Sequence, residues 1–278
     1  MKSTHDQKGR DPEVEKIIKR LRKLGSGPLC DADKSHRYAA STSDDPNLKA
    51  YAGLGLMCPL TMSLRNSKPN IMVGVVRTVQ LARPNDFLPV LYALTECRSG
   101  DVLVINTSGS TRAVAGGLFT TDAARRGLNG IVIDGPVRDI ADLDSGSTKR
   151  DGSLVSVYST SVTPYAGTAK YPGEGVDAAP VLCGGVTASP GDIIFGDADG
   201  VLVGSPETFS SCLHDAENIV AIEQNLMKGM KMGVSLHSMT NFDEHFKARK
   251  EGRESALQFK DLNTIKFTGV DPLPIGTI

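Results

Sequence analysis

A glycine pair, a short helix and a buried strand, in that order, constrain the fold of this chain more than any other feature. Gly116 and Gly117 precede residues 118–126, which have helical composition and two arginines at the end that suit the helix dipole. Gly127 then supplies the left-handed residue that commonly ends a helix. Residues 130–134 are apolar and β-branched, as in a strand that is buried on both faces. The pattern predicts an α/β fold with an open sheet.

The loop after this strand carries Arg138, Asp139 and Asp142. Open α/β sheets bind ligands beyond the carboxyl ends of their strands. The amides of Leu118 and Phe119 would be unpaired donors at the start of the helix, where carboxylates bind well. Arg138 offers a planar fork for a carboxylate, and Asp139 offers hard oxygens suited to Mg²⁺ or Mn²⁺. The alternative is a surface arginine beside helix-capping acids.

Other segments predict the surrounding framework. Strands are predicted near residues 71–79, 102–105, 154–158, 192–195 and 200–203, the last two as a hairpin. Helices are predicted near residues 12–24, 86–96, 207–232 and 241–250. Residues 1–12 are expected to be disordered and residues 30–69 to be rich in loops. The continuous spread of these elements over residues 70–205 favours one main domain.

Composition narrows the classes of function. The 31 basic and 32 acidic residues give a formal charge of -1, which does not suggest a nucleic-acid binder. The chain has no apolar run of about eighteen residues and no basic-then-apolar leader, so we expect no membrane span, no secretory signal and a cytoplasmic location. Its five cysteines are scattered and include no Cys-x-x-Cys pair, which favours free thiols over disulfides or a zinc site.

The chain resembles the RraA-like family, which includes the class II 4-hydroxy-4-methyl-2-oxoglutarate/4-carboxy-4-hydroxy-2-oxoadipate aldolases. The signature of that family is a glycine, twenty residues, Arg-Asp, two residues and an acid. Gly117, Arg138, Asp139 and Asp142 satisfy this spacing. The resemblance covers residues 28–205, and further blocks agree with it in order at 29–32, 73–79, 100–105, 184–192 and 196–201.

The resemblance implies a swivelling β/β/α domain with helical N- and C-terminal extensions, assembled as a homotrimer or homohexamer. The expected domains are a disordered tail and amphipathic helix at residues 1–28, an RraA-like core at 29–205 and a mainly helical C-terminal extension at 206–278. The extension exceeds the usual core of the family. We expect it to dock on its own subunit or on a partner subunit.

The resemblance also implies roles for individual residues. In aldolases of this family the arginine and the helix-start amides hold the pyruvyl carboxylate, and the aspartate carries a divalent metal largely through waters. By position, these roles fall to Arg138 and to Asp139, the expected metal ligand, while Asp142 supports the loop. The implied catalytic set is Arg138, Asp139 and Gly117, and the implied substrate-binding set is Gly116, Gly117, Leu118, Phe119 and Arg138.

Two departures from the family pattern bear on activity. Many active relatives carry an acid where this chain has Gly117, and that acid contacts a metal-bound water that serves in proton transfer. Loss of a general acid or base slows a reaction by roughly two to four orders of magnitude, and decarboxylation would suffer less than retro-aldol cleavage because no base starts it. Asn106, predicted as a supporting residue, lies where relatives often carry an aspartate; it either adjusts the pocket or simply caps its strand.

The sequence therefore predicts a lyase that uses Mg²⁺ or Mn²⁺ on a small 2-oxo acid, by retro-aldol cleavage or decarboxylation through a pyruvate enolate. Two alternatives stay open. RraA proper is a protein-binding inhibitor of ribonuclease, so the chain could be a non-catalytic regulator. It could also be a lyase of a specialised pathway, in which a bulkier substrate enters where the acid at Gly117 was lost.

Overall fold

The computed structural model describes residues 10–57, 62–67, 70–146 and 148–260. The helices are α1 Pro12–Leu21, α2 Ser26–Thr42, α3 Pro46–Lys49, α4 Leu88–Glu96, α5 Gly117–Arg126, α6 Ile140–Gly146, α7 Pro206–Lys231 and α8 Phe242–Lys250. The strands are β1 Gly55–Leu56, β2 Ser63–Leu64, β3 Met72–Gln80, β4 Asp101–Asn106, β5 Gly130–Val137, β6 Ser156–Val162, β7 Val181–Cys183, β8 Val186–Ala188, β9 Ile193–Gly196 and β10 Val201–Gly204.

A mixed sheet forms the centre of the first part of the chain. Within the described residues its eight strands follow the order β1-β10-β9-β3-β4-β5-β6-β2. The four strands from β3 to β6 are parallel neighbours, and antiparallel strands flank them on both sides. The carboxyl ends of four parallel strands therefore lie along one edge, which is where ligands bind in such sheets. This confirms the predicted α/β fold.

The central strands are buried on both faces because their apolar residues alternate between two cores. One core contains Leu103 and Ile105 of β4 and is covered by apolar residues of α4 and α5. The other contains Val102 and Val104 of β4 together with residues of the β7–β8 hairpin. Every residue of β4 except the last, Asn106, is buried. The strand predicted at residues 130–134 to be buried on both faces is confirmed, because residues 130–133 of β5 are all buried.

The predicted helices are confirmed at their sites, with ends that differ by three residues at most. The predicted hairpin is also confirmed, as β9 paired with β10. Strand β5 is longer than expected and runs to Val137, so Arg138 follows the strand directly.

The prediction that residues 30–69 are rich in loops is wrong for residues 30–42, because α2 occupies Ser26–Thr42. Its first amide, on Ser26, donates to Asp197 Oδ2 at 2.8 Å, so the helix is capped by a residue 171 positions away. An ion pair of 2.6 Å between Arg37 Nε and Asp33 Oδ2 adds a contact one turn apart. The capping residue comes from a distant part of the chain, so the local sequence around α2 does not indicate it.

Several other expectations meet the structure only in part. Cys30, Cys97, Cys183 and Cys212 are free thiols, while Cys58 lies outside the described residues. Of residues 1–12, which were predicted to be disordered, residues 1–9 also lie outside them, and Pro12 begins α1. Among the described helices, none combines the length and apolarity needed to cross a membrane.

The chain divides into two compact units, residues 1–216 and 217–278. In the described part of the second unit, the Asn241 side chain accepts a hydrogen bond of 2.8 Å from the amide of Gln258 and donates one of 3.1 Å to the carbonyl of Ala256. Phe242 and Phe246 stack along α8 with their ring centroids 5.5 Å apart. The domain limits inferred from the sequence stay a prediction, as does the docking role of the C-terminal extension.

Candidate functional site

The start of α5 lies against the loop that follows β5. Gly116 is the residue before the helix, and its backbone is extended, with φ -172° and ψ -159°. A Cβ on Gly116 would lie 2.6 Å from Asp139 Oδ2 and 2.9 Å from Arg138 Cγ. Only glycine leaves room for this approach, so Gly116 allows the two segments to touch.

The loop after β5 is shaped by two backbone features. The amide of Arg138 donates to the carbonyl of Ala115 at 3.2 Å, which ties the end of β5 to the segment before α5. Asp139 adopts a left-handed backbone with φ 60°, and its carbonyl accepts a hydrogen bond of 2.9 Å from the amide of Asp142 in α6. Left-handed conformations of non-glycine residues are uncommon and cluster at functional sites.

An amide and a guanidinium converge here on one oxygen atom. The amide of Gly117 donates to Asp139 Oδ2 at 3.2 Å, and Arg138 Nε lies 3.3 Å from the same atom. Both distances exceed the range of roughly 2.7–2.9 Å that is usual for charge-assisted hydrogen bonds. In the described parts of the chain, the amides of Leu118 and Phe119 have no acceptor. The helix start can therefore accept a carboxylate at the point where Asp139 Oδ2 now lies.

A cavity of about 400 Å³ opens beside this point. Its lining consists of Phe87, Leu91, Leu94, Ala113, Val114, Ala115, Gly116, Leu118, Phe119, Asp122, Arg138, Asp139, Ala166 and Gly167. Phe87 and Phe119 meet edge to face with their ring centroids 5.7 Å apart. The side chain of Leu118 is 81% exposed at the start of α5. Asp122, Arg138 and Asp139 are the charged residues of this lining, and the others are apolar or glycine.

The lining acid Asp122 is paired by its own helix. Arg126 Nε donates to Asp122 Oδ2 at 2.7 Å, and Arg125 Nε donates to Oδ1 at 2.8 Å. Burial acts to raise the pKa of Asp122, but the hydrogen bonds from Arg126 and Arg125 outweigh it and hold the pKa below its ordinary value. Asp122 is therefore a carboxylate whose charge is balanced by arginines.

The two predicted supporting residues lie in different places. Asp142 is beside the helix start, because a Cβ on Gly117 would lie 3.3 Å from Asp142 Cβ. Asn106 does not line the cavity. Its Nδ2 donates to the carbonyl of Leu182 at 2.7 Å and its Oδ1 accepts from the amide of Ser108 at 2.8 Å, so it ties the end of β4 to β7.

The donor set fits only one kind of metal. Within the described residues, no group of three or more His, Cys, Asp or Glu side chains is arranged to hold an ion, which is what a zinc site would need. Mg²⁺ keeps several waters and binds through one or two carboxylates. The contacts of Asp139 with the Gly117 amide and with Arg138 both use Oδ2, so Oδ1 can serve such an ion, with Asp142 three residues away. The residues fit hydrated Mg²⁺ or Mn²⁺.

Most of the apolar wall residues were not predicted from the sequence; Leu118 and Phe119 are the exceptions. The unpredicted residues come from three separated segments: Phe87 with α4, residues 113–115 and residues 166–167. Backbone bonds bring these together, since the amide of Ala113 donates to the carbonyl of Tyr165 at 2.8 Å and the amide of Gly167 donates to the carbonyl of Ala113 at 3.0 Å. No local sequence pattern marks these segments as neighbours.

Comparison with known sequences places this chain in a family. The family model described as RraA-like, Aldolase/RraA, matches residues 29–203. A Halalkalibacterium halodurans protein provisionally named 4-hydroxy-4-methyl-2-oxoglutarate aldolase is 41% identical over 133 residues, which are 48% of this chain and 59% of that protein. A Burkholderia mallei protein with the same provisional name is 37% identical over 178 residues, 63% of this chain and 92% of its own length.

Solved structures share the fold. The crystal structure of Streptomyces coelicolor RraAS2, described as an unusual member of the RNase ES inhibitor RraA protein family, matches with a TM-score of 0.58 and 23% sequence identity. The match covers 78% of this chain and 98% of that one. At this identity the likeness concerns the fold alone, and it agrees with the α/β fold described above.

Proposed function

The chain belongs to the RraA-like family, and on that premise we propose that it is a divalent-metal-dependent carbon-carbon lyase that acts on a small 2-oxo acid. The observation that carries the proposal is the convergence of the Gly117 amide and the Arg138 guanidinium on one carboxylate oxygen, at 3.2 and 3.3 Å. The carboxylate of a substrate would take the place of Asp139 Oδ2. The provisional aldolase names of two relatives support the same reaction class.

In this proposal each residue of the site has a separate role. Arg138 and the amides of Gly117, Leu118 and Phe119 orient the substrate carboxylate, while Asp139 holds hydrated Mg²⁺ or Mn²⁺ and Asp142 supports the loop. The bound ion would supply Lewis-acid polarisation of the 2-oxo group. When the carbon-carbon bond breaks, negative charge develops on the pyruvate enolate, and Arg138 stabilises it with fixed hydrogen-bond donors.

Gly117 favours decarboxylation over aldol cleavage. Retro-aldol cleavage must remove the proton of a hydroxyl group, whereas loss of CO₂ from oxaloacetate needs no base to start it. Position 117 carries no side chain that could remove a proton. We therefore expect faster release of pyruvate from oxaloacetate than from 4-hydroxy-4-methyl-2-oxoglutarate.

A coupled assay of pyruvate release tests the proposal. Each of these two substrates is supplied with Mg²⁺, with Mn²⁺ or with a chelator, and we expect metal-stimulated turnover that the chelator abolishes. In parallel, calorimetry measures the affinity for oxalate, a mimic of the enolate. Arg138→Ala should abolish oxalate binding, while Arg112→Ala, which removes an exposed arginine outside the cavity lining, should not. Equal oxalate affinity in Arg138→Ala and the wild type would refute the assignment.

One observation favours a second candidate function. The absent acid at Gly117 also fits a non-catalytic, protein-binding regulator of the RraA type. That function requires a stable stoichiometric protein partner and no metal-stimulated turnover of either substrate. The assembly as a trimer or hexamer stays a prediction that light scattering can test.

A further inference from the structure

The cavity beside Arg138 carries an unusual distribution of charge. Among the described residues that line it, Arg138 is the one cation, and Asp122 and Asp139 are the two acids. Asp122 already bonds to two arginines of its own helix. The remaining walls are apolar, and Phe87, Leu91 and Leu118 are among their larger side chains.

This distribution decides what can lie beyond the substrate carboxylate. A carboxylate that binds at Arg138 uses the one lining cation, so a second carboxylate would enter the apolar part without a partner. Burying an unpaired charge is strongly unfavourable, and Asp122, which already pairs with Arg125 and Arg126, offers no positive charge to a second carboxylate. An apolar group in the same space would instead be stabilised by leaving water.

We infer that the substrate is a 2-oxo acid with a single carboxylate and a bulky apolar group, branched or aromatic, on C4. The inference rests on the proposed function and names its substrate class. In the cleavage of such a 4-hydroxy-2-oxo acid, the C3–C4 bond breaks and its electron pair stays on C3 as the pyruvate enolate, which then takes a proton at C3. The C4 hydroxyl gives its proton to water, because position 117 carries no side chain that could take it, and becomes the carbonyl of an apolar aldehyde or ketone.

The cavity has room for this group. Its volume of about 400 Å³ lies within the range of roughly 300–1,000 Å³ that is usual for small-molecule sites. Leu91 of α4 is 48% exposed and lies in the lining, and the neighbouring residue Tyr92 is 51% exposed and lies outside it. The two positions form a matched pair for substitution on one helix.

The test compares two 2-oxo acids that differ only in the group on C4 and that cannot undergo aldol cleavage. Calorimetry with Mg²⁺ present measures the binding of 2-oxo-4-phenylbutanoate and of 2-oxoglutarate to the wild type, Leu91→Arg and Tyr92→Arg. We expect the wild type to bind the phenyl compound about tenfold more tightly or better. Leu91→Arg supplies a second cation and should reverse the preference, while Tyr92→Arg should keep it.

Two results would overturn the inference. One is a wild type that prefers 2-oxoglutarate, and the other is a phenyl preference that Leu91→Arg leaves unchanged, since the apolar group would then bind elsewhere. Pyruvate release from oxaloacetate is measured on the same three proteins. If oxaloacetate is turned over while 2-oxoglutarate is preferred, only the substrate class is wrong. If oxaloacetate is not turned over and neither acid binds, the proposed function fails and this inference fails with it.

Discussion

Asp33 and Asp139 are surrounded by the same kinds of groups, an arginine and a backbone amide, and yet they differ in what they leave free. Asp33 Oδ1 accepts hydrogen bonds from Leu54 N at 2.8 Å and from the Tyr51 hydroxyl at 2.6 Å, and Oδ2 accepts from Arg37 Nε at 2.6 Å. Its side chain is 11% exposed, against 34% for Asp139. Short bonds to both oxygens hold structure, whereas longer bonds to one oxygen leave a carboxylate available to a ligand.

The cluster around Asp33 ties three separate segments together. The Tyr51 hydroxyl lies 2.6 Å from Asp33 Oδ1 of α2 and 3.0 Å from Cys212 Sγ of α7. Burial, with hydrogen bonds to Asp33 and Cys212, raises the pKa of Tyr51 far above its ordinary value. Tyr51 therefore stays a neutral donor, which is the protonation state that a structural link needs.

If Asp139 is structural, as Asp33 is, the difference between the two carboxylates disappears. In Asp139→Asn we expect kcat/KM for oxaloacetate to fall by about a hundredfold or more, because the substitution removes the charge that we propose holds the metal. The free energy of unfolding should change by less than about 1 kcal/mol, since the lost bonds are long and partly exposed. Urea unfolding and the coupled assay measure the two quantities. Full activity with lost stability would contradict the assignment.

The opposite pattern is expected at Asp33. Asp33→Ala should lower the free energy of unfolding by about 3 kcal/mol, because it leaves the Tyr51 hydroxyl and the Leu54 amide without their acceptor. Activity of the folded protein should stay near that of the wild type. Asp31→Ala, at an exposed position of the same helix, is the matched control and should change stability by less than about 0.5 kcal/mol. Similar stability of the two variants would remove the distinction between the two carboxylates.

These two sites also show what the sequence could and could not predict. The helix start at Gly117 and the strand end before Arg138 carry local signals, namely turn glycines, β-branched runs and a fixed spacing. The partners of Asp33 lie as far as 21 residues along the chain, and the cap of α2 comes from Asp197, 171 positions away. No local period marks such contacts, because they depend on which segments pack together.

The apolar cavity wall illustrates the same limit. Phe87 and Phe119 are 32 residues apart in the sequence and touch only because residues 113 and 165–168 bring their segments together. The sequence predicted Arg138 and the helix-start amides as a candidate carboxylate site, but not the apolar space beside them. In our inference that space selects the substrate, so specificity is the part of the proposed function least accessible to sequence.

A smaller effect is expected from an acid at position 117. Gly117→Glu should raise retro-aldol turnover about tenfold, because a proton acceptor would then lie next to Asp142 and Asp139. The new Cβ would lie 3.3 Å from Asp142 Cβ, a contact that a shift of a few tenths of an ångström relieves. In Gly116→Ala, by contrast, the Cβ would lie 2.6 Å from Asp139 Oδ2, so oxalate binding should weaken. Pyruvate release and calorimetry test both, and unchanged turnover in Gly117→Glu would mean that the missing acid does not limit the reaction.

The smallest effect is expected at Asp86, which is 1% exposed. Like Asp33, it accepts hydrogen bonds at both of its carboxylate oxygens. Its Oδ2 accepts hydrogen bonds from the amides of Lys170 and Tyr171, at 2.8 and 3.3 Å, and its Oδ1 accepts one of 3.1 Å from the amide of Leu88. Burial acts to raise the pKa of Asp86, but these hydrogen bonds and one from Thr168 outweigh it and lower the pKa below its ordinary value of 3.8.

A lowered pKa in the folded state means that the Asp86 carboxylate stabilises the protein above the unfolded pKa and loses that effect as the pH falls through the folded pKa. Asp86→Asn should therefore reduce the free energy of unfolding by about 1 kcal/mol at neutral pH. The difference from the wild type should shrink below about pH 4. Urea unfolding over a range of pH measures it. A stability difference that stays constant into acid would mean that Asp86 acts through its shape and not through its charge. The contrast between carboxylates that are hydrogen-bonded at both oxygens and carboxylates that are available to a ligand would then rest on Asp33 alone.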